Sequence, residues 1–207
     1  MFRRIASELR NHAPFTAFGA ITGIVFMVII VFGNFLPQVS QVSYTVFYVL
    51  HPSHVILSAL VTTALYKKYA KGKIWAAILV GYFGSVGIAT ISDSIIPYLG
   101  ETLMVLPYRE IHIGFIEEWW IVNLAALLGI IIGYAKPTTK FPHYGHVLIS
   151  TWASLFHIIM ALGETANWIT LLVIFLFLFL AVWLPCCLSD IVFPLLFTRK
   201  KLSHQHT

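Results

Sequence analysis

His51-Pro52-Ser53-His54-Val55 returns 92 residues later as His143-Tyr144-Gly145-His146-Val147, and this return decides the fold. Helical steps extend both copies: His51, His54, Ser58 and Thr62 match His143, His146, Ser150 and Ser154. A second pair follows downstream, Ser92-Asp93-x-x-x-Pro97 and Ser189-Asp190-x-x-x-Pro194. Ionisable, metal-capable residues are costly inside apolar sequence. A doubled set of them implies a duplicated membrane unit with a polar site in each half.

Composition supports the membrane half of that inference. Hydrophobic residues make up 59% of the chain and charged residues 10%, with a mean hydropathy of +0.87, a balance that soluble domains do not show. The basic pI near 9.3 does not indicate nucleic acid, because the basic residues sit in short blocks between apolar runs. Cys186 and Cys187 are adjacent and report nothing about redox compartment. They could serve as soft metal ligands or palmitoylation sites, with small polarizable core residues as the plainer account. Arg3, Arg4 and Arg10 precede an apolar run that ends at Asn34-Phe35-Leu36-Pro37 without a small-x-small site, so it reads as a retained helix.

Apolar segments fall at about 15–36, 43–66, 74–98, 113–134, 143–163 and 168–197, each long enough to cross the hydrocarbon layer. The expected fold is an all-α integral membrane protein of six transmembrane helices, in a single domain over 1–207. Pro185 should kink or interrupt the over-long last segment. Of 13 basic residues, 12 fall on one side, in the blocks Arg3–Arg10, Lys67–Lys73, Lys136–Lys140 and Arg199–Lys201. The positive-inside rule then puts both termini in the cytoplasm, in a plasma (inner) membrane, with 199–207 as a cytoplasmic tail. Glu101, Glu110, Glu117, Glu118 and Glu164 would line the other face. Repeat one covers about 12–100 and repeat two about 110–198. Three spans per repeat is odd, so the second copy enters upside down, an inverted 3+3 plan. That plan resembles the small inverted-repeat carriers as an architectural class. A short echo, His12-x-x-Phe15 and His112-x-x-Phe115, opens spans one and four.

Span direction gathers the polar residues into two groups. His51, His54, Asp93 and His112 form an outer one; His143, His146, Asp190 and His12 form an inner one. Residues three apart share a helix face, so each His-x-x-His can turn both rings to one ligand. Ser58 and Thr62, or Ser150 and Ser154, continue those faces as a hydroxyl stripe, and His157 prolongs the second toward the outer group. Imidazoles with a carboxylate suit Zn²⁺ or Fe²⁺. Whether the groups are separate or fused into one central site stays open.

The function expected from this is a carrier or channel for a divalent transition-metal ion rather than an enzyme. Metal uptake would displace protons, because histidine titrates near neutrality. One alternative is a membrane haem protein of the b-type cytochrome kind, with His54 and His157 as one axial pair. Another is an intramembrane metal-dependent lipid hydrolase in which Ser92 or Ser189 assists a zinc-bound water. No His-Glu-x-x-His or Walker motif is present. The expected partners are the lipid bilayer and the metal ion, without nucleic acid; a homo-oligomer is left open.

Overall fold

Backbone amides surrounded by hydrocarbon have only one another to bond, so apolar runs of this length close into helices. The computed structural model describes residues 2–70, 73–136, 140–163 and 166–187, and the regular elements in them are all helical. They are α1 Phe2–Phe32, α2 Leu36–Ala70, α3 Ile74–Thr90, α4 Ile96–Leu103, α5 Gly114–Glu117, α6 Trp119–Ala135, α7 Lys140–Ala161 and α8 Trp168–Cys187. A π-helical turn, Ile91–Ile95, joins α3 to α4.

The outer surface of the helices is far more apolar than that of a water-soluble bundle. Ile21, Val25, Ile29 and Phe32 on α1, and Leu172, Leu176, Leu180 and Leu184 on α8, form exposed apolar rows at one-turn spacing. Within an interior that is largely apolar, α2 buries a polar row of Ser43, His51, His54, Ser58 and Thr62, and α7 buries His146, Ser150, Ser154 and His157. Such a surface dissolves in lipid, not in water.

Four helical stretches are long and apolar enough to cross a membrane: Ala13–Phe32, Leu36–Lys68, Ile74–Leu103 and Trp168–Cys186. Trp119–Ala135 and Gly145–Ala161 are shorter apolar helices. Several expected boundaries move. Span two begins at Leu36 because the turn before it is tight: Asn34 takes φ 58° and the Phe35 N–H bonds the Ile30 carbonyl at 2.9 Å. Span three continues through the π turn to Leu103. The fourth expected segment breaks at Glu118, whose backbone (φ −123°, ψ 45°) leaves the helical region, so the one-turn α5 precedes α6. Residues 188–197 of the last expected span lie outside the described residues.

Helices α2 and α7 form the centre and run antiparallel, with His54 facing His146 and Phe47 facing His157. Helices α5 and α6 run parallel to α2, meeting it from Glu117 beside Tyr48 to Tyr134 beside Lys67. Helix α1 runs parallel to α7, with Gly19 on Thr151 and Gly23 on Leu155. α3 packs against α2 and α6, and α8 against α1 and α7. Small residues let the backbones close up. A Cβ on Gly129 would stand 2.8 Å from the Ala59 Cβ, and one on Gly133 would stand 2.9 Å from the Leu60 Cα. Gly129 and Gly133 are one turn apart, a small-xxx-small contact with α2.

Candidate metal centre

The π turn creates the site. Pro97 has no N–H, so the Asp93 carbonyl loses its ordinary helical partner. The Ile96 N–H reaches back instead to the Ile91 carbonyl, five residues away. That extra residue in the turn carries Ser92, Asp93 and Ser94 into the interior, all fully buried. Single π turns of this kind recur at functional sites.

Asp93 is the hub. Its Oδ2 lies 3.0 Å from His51 Nδ1 and 2.8 Å from His54 Nδ1. Its Oδ1 accepts from Ser92 Oγ at 2.7 Å and Ser150 Oγ at 2.8 Å. Ser154 Oγ donates to the Ser92 carbonyl at 3.0 Å, fixing the turn from the α7 side. A carboxylate facing both Nδ1 atoms assigns the proton there on each ring, which leaves each Nε2 with a free lone pair. Both Nε2 atoms are buried without a hydrogen-bond partner among the described residues.

The two rings then diverge. His51 stacks on Phe47 at 5.4 Å and turns its Nε2 toward Gly114, where a Cβ would come within 2.8 Å of it. Glycine is required at that approach. His54 stacks on His146 at 5.7 Å, with ring planes only 7° apart. Cys186 of α8 completes this group: one donor atom each from His54, His146 and Cys186 lies within 4.8 Å of the others, all three residues buried.

The expected ligands are therefore redistributed. His51, His54 and Asp93 are brought together as expected, with Asp93 bonded to imidazole nitrogens. His54 and His146, assigned by the sequence to outer and inner groups, meet in one place. His112 pairs instead with Glu117 at 3.4 Å, and its backbone N–H donates to His157 Nε2 at 3.3 Å. The side chains of His12 and His143, and all of Asp190, lie outside the described residues. Glu101 does not line an outer face: it is fully buried and bonds His157 Nδ1 at 2.6 Å. Cys186 joins the donor group although sequence reasoning favoured simple packing for it. The signal for it in the sequence was the thiol itself, a soft ligand for a transition metal.

No protein-family model, curated protein or solved structure matches the chain.

Proposed function

We propose that the protein is an inverted-repeat membrane carrier or channel for a divalent transition-metal ion, bound between its halves by His54, His146 and Cys186. The observation that carries this reading is the meeting of His54 with His146, the matched members of the two His-x-x-His copies, beside a buried thiol. Carrier sites lie at the interface between repeats near the bilayer midplane.

Charge balance favours a divalent ion. A carboxylate at Asp93 and a thiolate at Cys186 carry two negative charges, the two imidazoles are neutral ligands, and a divalent cation makes the centre neutral. An uncompensated charge at that depth would cost several kcal/mol. Two nitrogens and a sulfur suit Zn²⁺ better than Fe²⁺. Asp93 acts from behind the ligands here, orienting His54 as carboxylates commonly orient metal-bound imidazoles.

The neighbour pattern supports the inverted repeat. Exchanging α1 with α6, α2 with α7 and α3 with α8 maps the main packing pairs onto one another. Gly19-x-x-x-Gly23 packs on α7 at Thr151, and Gly129-x-x-x-Gly133 packs on α2 at Ala59. Thr151 and Ala59 are 92 residues apart, the offset of the histidine motifs. In this reading α6 and α7 cross the bilayer as the fourth and fifth of six spans, and both termini face the cytoplasm of a plasma (inner) membrane.

The test uses purified protein in detergent and in proteoliposomes. Elemental analysis after zinc loading should find stoichiometric Zn²⁺, and loaded vesicles should pass Zn²⁺. His54→Ala and His146→Ala should abolish both. Wild-type protein that neither retains nor moves any transition metal would overturn the proposal.

A further inference from the structure

Glu101 and His157 form a second buried pair that the metal centre does not use. Glu101 sits on α4, fully buried, with Oε1 2.6 Å from His157 Nδ1 and Oε2 without a hydrogen-bond partner among the described residues. The backbone N–H of His112 donates to His157 Nε2 at 3.3 Å. That nitrogen is therefore an acceptor, the ring proton is on Nδ1, and the imidazole is neutral. Its hydrogen bond to Glu101 is consequently not an ion pair.

Among the described residues no cationic side chain pairs with Glu101. Arg109, in the loop after α4, turns its guanidinium to the Leu106 carbonyl at 3.5 Å. Within its described length α8 carries no titratable side chain except the cysteines at its end. On α2, Tyr48 is engaged with Glu117 and His51 with Asp93. A bare carboxylate in such surroundings costs several kcal/mol. One free oxygen offers a metal ion no second ligand, whereas a proton needs only one lone pair.

We propose that Glu101 is the site at which the carrier takes up and releases a proton, reached from the surface through Glu117 and His112. The side chains of Glu117 and His112 are 32% and 14% exposed, and the His112 ring meets His157 at 5.6 Å. In uptake, hydronium at the surface gives a proton to the Glu117–His112 pair and leaves as water; the pair passes a proton on to the Oε2 lone pair and returns to its starting state. In release, the O–H electron pair stays on Oε2 and the proton returns through the same groups. Phe47 separates this site from the metal centre, set edge-on to His157 at 5.3 Å and stacked on His51 at 5.4 Å. One aromatic ring of α2 thus touches both sites, so a movement of α2 that opens one is felt at the other.

The proposal rests on the carrier reading for its role in transport, but not for the existence of the protonated group. Infrared difference spectra of the full-length protein across pH should show a carboxylic-acid C=O band that vanishes in Glu101→Gln and shifts in Glu101→Asp. A wild-type spectrum lacking that band overturns the proposal whether or not the protein moves metal. In proteoliposomes holding a pH-sensitive dye, Zn²⁺ flux should move protons. Glu101→Gln should bind Zn²⁺ as wild type does yet move no protons and ignore an imposed pH gradient. Proton movement surviving in Glu101→Gln, or wild-type Zn²⁺ flux without protons, overturns the coupling while leaving metal transport standing. Absence of Zn²⁺ binding in wild type strikes the carrier reading alone.

Discussion

At the scale of single residues, the design turns on one carboxylate serving two imidazoles. Asp93 Oδ2 receives both Nδ1 atoms, so the pair is oriented by one oxygen while the other is spent on Ser92 and Ser150. Asp93→Asn keeps the shape but replaces an acceptor with a donor, which frees the His54 ring to flip. Metal affinity should fall about 10–100-fold, the usual cost of losing such an orienting partner, measured by Co²⁺ or Zn²⁺ titration. Unchanged affinity would remove Asp93 from the site. Cys186 makes a sharper spectral claim. With Co²⁺ in place of Zn²⁺ the wild-type protein should show a thiolate-to-cobalt charge-transfer band, and Cys186→Ser should lose it while Cys187→Ser keeps it. The burial of His51, His54, His146 and Asp93 was legible in the sequence, because repetition marks these residues and such groups in apolar sequence demand a reason. That of Glu101 was not, since its position near a span end is shared by glutamates that do face outward. Its burial depends on α4 continuing past Pro97 and on His157 arriving from a helix 56 residues away.

At the scale of elements, the π turn and the glycine seams decide what the side chains can reach. Pro97 removes the N–H that would close an ordinary helical bond on the Asp93 carbonyl. Pro97→Ala restores it, so Ile91–Ile95 should relax toward α geometry and carry Asp93 around the helix axis. The expected result is weakened metal binding with unchanged far-ultraviolet circular dichroism. Wild-type affinity in this variant would show that the turn holds its shape without the proline. Gly129 is the matching test for packing. A leucine there meets the Ile56 carbonyl and the Ala59 Cβ across the seam. Overpacking should cost about 1–3 kcal/mol, read as a lower unfolding temperature in detergent. Helices as such were plain from apolar run length, since hydrocarbon allows little else. The π turn was hidden because it follows from one absent N–H, and the break at Glu118 because it is a backbone choice between two apolar runs. The Gly129–Gly133 seam has its counterpart in Gly19 and Gly23, the same four-residue spacing carried on α1.

At the scale of the whole molecule, the question is whether α6 and α7 cross the bilayer. α6 has 17 residues and spans about 25 Å at 1.5 Å per residue, short of a hydrocarbon core near 30 Å. Its partner supplies the missing length. α5 and α6 together accompany α2 from Tyr48, which meets Glu117, to Lys67, which meets Tyr134. That stretch of α2 lies inside a helix long and apolar enough to span, so the pair α5–α6 travels nearly the same depth. Trp119 and Trp120 are exposed at the start of α6, where aromatic side chains anchor at an interface, and Lys136 follows its end. In a six-span arrangement Lys68 at the end of α2 and Lys136 after α6 share one face, and Tyr108 lies on the other. If α6 and α7 stayed on one side, Lys136 would instead share the face of Tyr108. Single cysteines at these positions, in a background with Cys186→Ser and Cys187→Ser, can be probed with a membrane-impermeant maleimide on sealed vesicles of known orientation. Lys68→Cys and Lys136→Cys should label from the same side and Tyr108→Cys from the opposite one. Labelling of Lys136→Cys together with Tyr108→Cys would reduce the bundle to four spans and remove the inverted repeat. The His54–His146 contact would then be a meeting of one crossing helix with one that does not cross, and the case for passage through the centre would go with it.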